Sequence, residues 1–372
     1  MTQENIFHGI FKDKIVLITG HTGFQGSWLS LWLKMLGANV VGFSLEPPSN
    51  PYLFKILDME NEVTSITADL CDKKKLSEFI NKHQPEFVFH LAAQPIVLTS
   101  YERPLETIET NVIGTANVLE SIRNVTSVRS CVIMTSDKCY DNEIKSSPHT
   151  EIDPMGGFDP YSASKGAAEL IVSSYRNAFF ENNPANKTEI ATARAGNVIG
   201  GGDWGKDRLV PDIIKSIQEN KVLNIRNPDS VRPWQYVLEP ISGILWLATK
   251  MLEEPKKNSS AWNFGPSLSE KSFTVKELVN SILEKWGSDL SFETEKNSNN
   301  MHESESLIID SSKSKKELGW ETCLSFDETV SETVSWYKKY ENDKSDIKNF
   351  TKKQIENYII KAKRNDLVWT KS

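Results

Sequence analysis

The sequence lacks any long apolar run. No stretch approaches the about 18 apolar residues of a membrane-spanning helix, and the first dozen residues show no basic segment followed by an apolar one. We therefore expect neither a membrane span nor an export signal, and we predict a cytoplasmic protein.

Positive charge and cysteine are also scarce. The net charge of −7 over 372 residues disfavours a nucleic-acid partner, because such proteins present a basic surface. The four cysteines show no metal-ligand or C-x-x-C spacing, so we expect reduced thiols and no metal site; they are Cys71, Cys131, Cys139 and Cys323.

Strand-like and helix-like segments alternate over the first half of the chain. Residues 14–19 are a continuous, largely β-branched apolar run, as a parallel strand buried on both faces requires, and a helical pattern follows at 25–36. Further strands are predicted at 39–43, 63–67, 86–91, 130–135 and 189–194, and further helices at 73–82, 104–123 and 161–180. This alternation predicts an α/β fold with a Rossmann-type doubly wound parallel sheet.

The pattern loosens after residue 194, with helices expected near 211–219, 239–252 and 275–286. We predict an NAD-binding Rossmann domain at 1–195 with a returning segment at about 232–262. Residues 196–231 and 263–340 would form a smaller, partly discontinuous substrate-binding domain. The Lys-, Asp- and Asn-rich segment 341–372 keeps a few apolar residues and is predicted to be a peripheral helical extension.

Three glycines spaced by three residues separate the first strand from the first helix. Gly20, Gly23 and Gly26 would permit a tight turn and a close approach of backbone to a pyrophosphate at the helix N-terminus. An ordinary glycine-bearing turn is the alternative, but the flanking strand and helix favour the cofactor site. The same loop supplies three more candidate cofactor contacts: Thr22, Phe24 and Gln25.

The ends of the next strands offer further cofactor contacts. Glu46 could accept hydrogen bonds from an adenosine ribose, or it could be a solvated loop residue; the lack of Arg or Lys beside it favours NAD over NADP. Asp69 and Leu70 are placed to meet an adenine edge. After the fourth strand, small or apolar residues would let backbone lie against the cofactor, at Leu91, Ala92 and Ala93.

A tyrosine and a lysine four residues apart indicate chemistry on a hydroxyl group. Tyr161 and Lys165 would share one helix face, so we expect the ammonium to lower the tyrosine pKa from about 10 toward working pH. The phenolate could then take a hydroxyl proton while hydride leaves carbon. Tyr340 and Lys344 repeat the spacing without a strand or phosphate loop nearby, and we interpret them as surface residues.

Several segments together resemble the extended short-chain dehydrogenase/reductases, over residues 14 to about 340. They are residues 20–29, 90–95, 110–115, 135–140, 159–165, 194–204 and 232–234. Ser-Asp-Lys-Cys-Tyr at 136–140 and Gly-Gly-Gly-Asp-Trp at 200–204 are the specific ones. Within this family the chain looks closest to the 4,6-dehydratases that act on CDP-glucose.

The resemblance implies tightly bound NAD, CDP-glucose as substrate, a product used in deoxysugar and O-antigen synthesis, and a homodimer or dimer of dimers formed through 104–123 and 161–180. It also implies roles in catalysis. Tyr161 would take the O4 proton, Lys165 would tune Tyr161, Ser136 would bond O4, and Asp137, if protonated, would donate to the departing C6 hydroxyl.

Lys138 departs from the pattern of the related dTDP-glucose enzymes, which carry a glutamate there. Whether it acts as base, acid or electrostatic support stays open, and a more distant carboxylate such as Glu143 could take the C5 proton instead. A surface ion pair between Asp137 and Lys138 is the non-catalytic alternative.

For the nucleotide sugar, the resemblance assigns Asn197 to the diphosphate and Arg232 to the pyrophosphate, since a guanidinium can bond two phosphate oxygens at once. Weaker candidates are Gln94, Arg208, Arg226 and Trp234. Arg194 could bind the nucleotide sugar or could equally be a structural ion-pair partner. His302 and Glu303 match the same subgroup of the family, and we interpret them as a structural contact. A 4-epimerase and a non-catalytic NAD-binding scaffold remain alternatives; the Asp137-Lys138 pair speaks against the first, and Tyr161 with Lys165 against the second.

Overall fold

The computed structural model describes residues 3–47, 49–141, 147–181, 186–294 and 307–371. Thirteen strands lie in this part of the chain: β1 (Ile15–Thr19), β2 (Asn39–Ser44), β3 (Thr64–Thr67), β4 (Phe87–His90), β5 (Ser130–Met134), β6 (Glu189–Arg194), β7 (Val198–Ile199), β8 (Leu223–Ile225), β9 (Val231–Arg232), β10 (Gln235–Tyr236), β11 (Ala261–Asn263), β12 (Phe273–Thr274) and β13 (Phe292–Thr294).

Seven of these strands form one parallel sheet in the order β11-β6-β5-β4-β1-β2-β3. The order reverses between β4 and β2, with β1 in the middle, which is where open α/β sheets bind ligands beyond the carboxyl ends of their strands. The predicted doubly wound sheet is confirmed. The short strand β11, which no sequence pattern indicates, extends it beyond β6.

The α-helices that the structure describes are α1 (Phe24–Met35), α2 (Leu53–Ile56), α3 (Lys73–His83), α4 (Val97–Glu102), α5 (Pro104–Ile108), α6 (Gly114–Ile122), α7 (Pro160–Tyr175), α8 (Leu209–Glu219), α9 (Leu238–Glu253), α10 (Val275–Trp286), α11 (Phe326–Asn342) and α12 (Ile347–Arg364). None of the described helices is long and apolar enough to cross a membrane.

The predicted single helix at 104–123 is interrupted. A π-helical turn, Glu109–Ile113, separates α5 from α6. It places Asn111 inside the protein, where the side-chain amide donates to Ser164 Oγ at 2.9 Å and its oxygen accepts from the Gln94 backbone N at 2.8 Å. The predicted helix at 161–180 likewise ends in a π turn, Arg176–Phe180, after α7.

The sheet has a hydrophobic core on each face. Successive residues of β1 point to opposite sides, so Val16 and Ile18 pack with α1, α9 and α12, whereas Leu17 packs with α3, α6 and α7. Burial on both faces explains why residues 15–18 of this strand are all apolar.

The C-terminal segment is part of the first of these cores. Ile355, Tyr358 and Trp369 are buried, and the Trp369 ring stacks on Phe7 with centroids 5.1 Å apart. The segment is helical as predicted, but it is not peripheral, because its few apolar side chains fill space over α1 and α9. The division into two domains stays a prediction.

Residues beyond β6 form three two-stranded pairs over the carboxyl edge of the sheet: β7 with β10, β8 with β13, and β9 with β12. β9 carries Arg232, and antiparallel pairing of Arg232 with Phe273 of β12 fixes its position. One strand of each pair, namely β7, β8 and β9, contributes residues to the wall of a cleft.

Candidate active site

A cleft of about 1380 Å³ lies between the carboxyl ends of the sheet strands and these strand pairs. Its lining contains all five predicted catalytic residues: Ser136, Asp137, Lys138, Tyr161 and Lys165. It also contains the predicted ligand contacts Phe24, Gln25, Leu91, Ala93, Asn197, Arg208, Arg226, Arg232 and Trp234. Residues far apart in sequence therefore meet in one cavity of a size that suits a large ligand.

The glycine loop enters this cleft beside the N-terminus of α1. Gly20 has φ +75°, and a Cβ there would lie 2.7 Å from the backbone N of Ala92. A Cβ on Gly26 would lie 2.1 Å from the Gly20 carbonyl oxygen. No side chain caps α1, so its first N–H groups are available to an anion. This geometry fits the pyrophosphate of a dinucleotide.

The remaining predicted cofactor residues have definite positions around the loop. Thr22 Oγ1 lies 2.8 Å from Ser44 Oγ and ties the loop to the end of β2. Asp69 Oδ1 accepts from the backbone N of Cys71 at 2.8 Å, so part of its carboxylate holds its own turn. Leu70 is buried beside Gly114, and Glu46 is exposed. Their contacts with a cofactor stay predictions.

Tyr161 and Lys165 lie in the first turns of α7. The helix begins with Pro160, and the Asp159 carboxylate caps it by accepting from the backbone N of Ser162 at 2.9 Å. Both side chains are buried, and Lys165 Nζ is 5.9 Å from the centre of the Tyr161 ring. The predicted shared face is present.

The expected effect of Lys165 on Tyr161 is wrong for the chain by itself. Burial raises the pKa of Tyr161 to about 12, although a hydrogen bond with Ser136 acts in the opposite direction. Burial also lowers the pKa of Lys165 to about 8. Removal of water disfavours the charged forms of both groups, while the positive charge of Arg208 acts in the opposite direction on Tyr161.

Ser136, Asp137 and Lys138 form a tight turn after β5. Ser136 Oγ donates to Asp137 Oδ1 at 3.0 Å and accepts from the backbone N of Lys138 at 3.2 Å. Asp137 is 2% exposed, so the surface ion pair considered from the sequence is excluded. Glu143, the distant alternative for the C5 proton, lies outside the described residues.

The second carboxylate oxygen of Asp137, Oδ2, lies close to the backbone of Gly196. Oδ2 makes no hydrogen bond within the described residues, and a Cβ on Gly196 would lie 1.9 Å from it. Burial raises the pKa of Asp137, while Lys138, Ser136 and Arg232 oppose the shift. The Asp137 carboxyl group therefore takes up a proton more readily than an ordinary carboxyl group, and its Oδ2 has no hydrogen-bond partner among the described residues.

A buried hydrogen-bond network, which the sequence did not lead us to expect, lies behind the turn formed by residues 136–138. Glu169 accepts from Thr135 Oγ1 at 2.5 Å, from Thr192 Oγ1 at 2.8 Å and from Arg194 Nη2 at 2.8 Å. Arg194 Nη1 also donates to Tyr140 Oη at 2.8 Å. The alternative reading of Arg194 as a structural ion-pair partner is confirmed. The available signal was spacing, since Glu169 follows Lys165 by four residues on α7.

The predicted substrate residues differ in how freely they face the cleft. Arg232 is 4% exposed and donates to the Val231 carbonyl at 2.9 Å. Arg208 pairs with Asp203 at 2.9 Å and keeps 31% of its side chain exposed. Trp234 Nε1 donates to the Phe273 carbonyl at 3.1 Å, and Asn197 has φ +30° at the cleft wall.

Gln94 is placed differently from the other predicted substrate residues. Its Nε2 donates to the Ile96 carbonyl at 3.0 Å and to Thr107 Oγ1 at 2.8 Å, while Oε1 accepts from the Ile96 backbone N at 2.6 Å. The side chain is therefore occupied with holding its own loop, and the neighbouring Pro95 and Ile96 line the cleft instead.

The second Tyr–Lys pair serves packing. Tyr340 stacks on Trp336 with centroids 5.5 Å apart, and Lys344 Nζ lies 4.9 Å from the Tyr340 ring. Neither residue lines the cleft, and Tyr340 is partly buried among aromatic rings. His302 and Glu303 lie outside the described residues.

The fold and cleft together define a nucleotide-binding α/β protein with a Ser–Tyr–Lys site. The chain belongs to the GDP-mannose 4,6 dehydratase family, whose model matches residues 17–333. The resemblance stated from the sequence is thereby confirmed.

Individual relatives agree with this family. The chain is 45% identical over 368 residues to a CDP-glucose 4,6-dehydratase of Salmonella typhimurium, covering 98% of this chain and 100% of the relative. It is 26% identical to a dTDP-glucose 4,6-dehydratase of the same organism, over 87% of this chain and 92% of the relative.

Solved structures share the fold. The dTDP-glucose 4,6-dehydratase of Streptomyces venezuelae, solved with NAD, superposes with a TM-score of 0.75 at 22% identity over 90% of this chain and 99% of that one. The UDP-glucose 4-epimerase of Thermotoga maritima, solved with UDP-glucose, gives a TM-score of 0.75 at 22% identity over 88% and 99%.

Proposed function

We propose that the protein converts CDP-glucose into CDP-4-keto-6-deoxyglucose and water. The observation that carries the reaction class is the placement of Asp137, a buried carboxyl group with a raised pKa, beside Ser136 and Tyr161 in one cleft. The 45% identity with a CDP-glucose 4,6-dehydratase over nearly the whole chain supports the substrate.

The glycine loop, the uncapped N-terminus of α1 and the absence of Arg or Lys at the end of β2 support NAD as a tightly held cofactor. When bound, NAD⁺ supplies a positively charged ring that accepts hydride from the sugar C4 and later returns it to C6. Leu91 and Ala93 line the cleft beside the loop.

In the oxidation half of the reaction, Tyr161 takes the proton of the O4 hydroxyl. Burial raises the pKa of Tyr161 to about 12, and positive charge in the cleft, such as that of Arg208, favours its phenolate. Ser136 hydrogen-bonds to Tyr161 and is therefore placed to hold the same substrate oxygen. Lys165 lies one helical turn from Tyr161 and keeps an ammonium near it.

In the elimination half, the C4 ketone acidifies the C5 proton. Loss of that proton and breakage of the C6–O bond form a C5=C6 double bond, and the departing hydroxyl takes a proton from Asp137 to leave as water. Lys138 lies on the same turn, and we place it at C5, where it takes the proton or stabilises the enolate charge. Proton return to C5 and hydride return to C6 complete the product without net oxidation.

A 4-epimerase is the alternative of the same fold, because it needs the tyrosine but no acid for water loss. One incubation with CDP-, dTDP-, UDP- and GDP-glucose separates the two by mass. We expect loss of one water from CDP-glucose in preference to the others. A product of unchanged mass with an inverted C4 would contradict the dehydratase proposal.

Cofactor identity has its own measurement. A cofactor regenerated in every turnover need not dissociate, so mass analysis of the denatured, purified protein should find NAD or NADH that was never added. Finding NADPH alone would contradict the cofactor proposal. It would also contradict the inference that the lack of Arg or Lys at the end of β2 favours NAD over NADP.

We further propose a homodimer formed through α5, α6 and α7. Four large apolar side chains of these helices and the connecting π turn are exposed: Leu105 at 73%, Leu170 at 62%, Ile113 at 50% and Ile108 at 42%. The elements that carry them pack against one another, and neighbouring exposed apolar residues are typical of protein interfaces. Analytical ultracentrifugation should find a dimer that Leu170→Glu dissociates; a monomeric wild type would refute the proposal.

We place the protein in the cytoplasm, in the synthesis of deoxysugars for O-antigen or a related polysaccharide. All four cysteines are free, and three are buried, as suits a reducing compartment.

A further inference from the structure

Part of the cleft is lined by polar side chains to which the proposed reaction assigns no role. Asp212 projects from the first turn of α8, and Asn224 and Arg226 project from β8 and the residue after it. Asn224 and Arg226 alternate along the chain with the buried residues Leu223 and Ile225. Their side chains therefore lie on the same, exposed face of β8 and its continuation.

Arg208 connects this part of the cleft with the reacting groups. The positive charge of Arg208 is close enough to lower the pKa of Tyr161, which places Arg208 near the reacting centre. The backbone N of Asp212 donates to the Arg208 carbonyl at 3.1 Å, so Asp212 lies one helical turn, about 6 Å, further along α8. Tyr161, Arg208 and Asp212 therefore line one cleft, whose size suits a ligand as long as a nucleotide sugar.

The Asp212 carboxylate has no hydrogen-bond or ion-pair partner within the described residues. Its side chain lines the cleft, and partial burial raises its pKa to about 6, with Asp207 adding to the shift and Arg226 and Lys215 opposing it. It is therefore an acceptor that faces a ligand site and is ionised above pH 6.

We propose that Asp212 selects cytosine by accepting a hydrogen bond from its exocyclic N4 amine. The inference rests on the proposed function. Cytosine presents a donor at N4 and acceptors at N3 and O2, which matches a carboxylate on one side and the guanidinium of Arg226 on the other. Uracil and thymine present an oxygen at position 4, which a carboxylate repels.

Asp212→Asn tests the proposal, because the amide keeps the size of the side chain but can donate to an oxygen at position 4. The ratio of kcat/KM for CDP-glucose to that for UDP-glucose should fall about 10- to 100-fold, the value of one charge-assisted hydrogen bond. NAD content should not change. Asp207→Asn is the matched control: it removes the same charge from a neighbouring residue that also lines the cleft, and it should leave the ratio unchanged.

An unchanged ratio in Asp212→Asn would overturn the proposal, and so would an equal change in both variants, which would indicate a general electrostatic effect. Calorimetry with CDP and UDP separates this proposal from the proposed function. If the wild type dehydrates no nucleotide-glucose, the proposed function fails, whereas a preference for CDP that Asp212→Asn abolishes still supports base selection. Equal affinity of the wild type for CDP and UDP would refute the selection.

Discussion

Arg194 donates to Glu169 across 2.8 Å, and the two side chains are only 4% and 5% exposed. The pair joins the end of β6 to α7, the helix of Tyr161 and Lys165. Glu169 also accepts from Thr135, the residue before Ser136. One carboxylate thus connects the two segments that carry the proposed catalytic groups, so it positions them without touching substrate.

Glu169→Gln should therefore destabilise the protein strongly. The change leaves the buried Arg194 cation without a countercharge, which costs about 3–5 kcal/mol in the free energy of unfolding. Urea denaturation measures it. Arg194→Met combined with Glu169→Gln should recover part of the loss, and Glu78→Gln, in an exposed pair with Lys74, should change stability little. Wild-type stability of Glu169→Gln would show that the pair is not needed.

Tyr161→Phe should keep the fold and lose the reaction. Removing only the phenol hydroxyl eliminates the proposed general base, for which a loss of about 10² to 10⁴ in rate is typical. Steady-state turnover of CDP-glucose provides the measurement. Tyr340→Phe is the matched control from the second Tyr–Lys pair and should retain turnover; the reverse result would mean that the wrong pair has been assigned.

Lys138→Ala should separate oxidation from elimination. If Lys138 acts at C5, the variant should still reduce bound NAD when CDP-glucose is added, seen as nicotinamide absorbance, but stall before water is lost. Solvent-deuterium exchange at C5 then distinguishes its roles. Loss of exchange identifies the base or enolate stabiliser, whereas exchange without dehydration indicates a role in C6 departure. Normal product formation would exclude Lys138 and direct the search to Asp137 and Glu143.

Arg232→Ala should weaken nucleotide-sugar binding by about 1.5–3 kcal/mol through loss of a charge-assisted phosphate contact. Calorimetry with CDP measures it, and NAD content should stay constant. The charge of Arg232 also opposes the rise in the pKa of Asp137. Its removal should therefore raise that pKa further and move the alkaline limb of the kcat profile to higher pH. Unchanged affinity together with an unchanged profile would assign Arg232 to structure alone.

Glu239 should make stability depend on pH. Burial raises its pKa to about 7, although it accepts from Tyr358 Oη at 2.7 Å and from two backbone N–H groups. The folded protein then binds the proton more tightly than the unfolded chain does. Its stabilising effect is complete below the ordinary carboxyl pKa and is lost as pH rises through about 7.

Glu239→Gln removes this proton equilibrium. The free energy of unfolding of the wild type relative to the variant should fall by up to roughly 3 kcal/mol between pH 4.5 and 8. Urea denaturation across that range measures the difference. Glu293→Gln, at an exposed position, should keep the wild-type dependence. Parallel curves for the wild type and Glu239→Gln would show that Glu239 does not titrate in this range.

Much of the fold follows from local patterns. Residues 15–18 are all apolar because β1 is buried on both faces, and Gly20 and Gly26 are glycine because a Cβ would collide with backbone. The Gly26 constraint is local, because the carbonyl it approaches is that of Gly20, whereas the backbone that crowds Gly20 belongs to the distant Ala92. The spacing of Tyr161 and Lys165 is equally local, since one helical turn places them on the same face.

Only the tertiary structure decided the environment of those groups. The sequence placed Lys165 near Tyr161, but burial by distant segments determined the direction of both pKa shifts. Packing over α1 and α9 drew α12 into the core, and pairing with β6 made Ala261–Asn263 a strand. Glu169 pairs with Arg194 because the fold places α7 beside the end of β6. Desolvation and long-range pairing depend on what surrounds a residue in space, which no periodicity along the chain records.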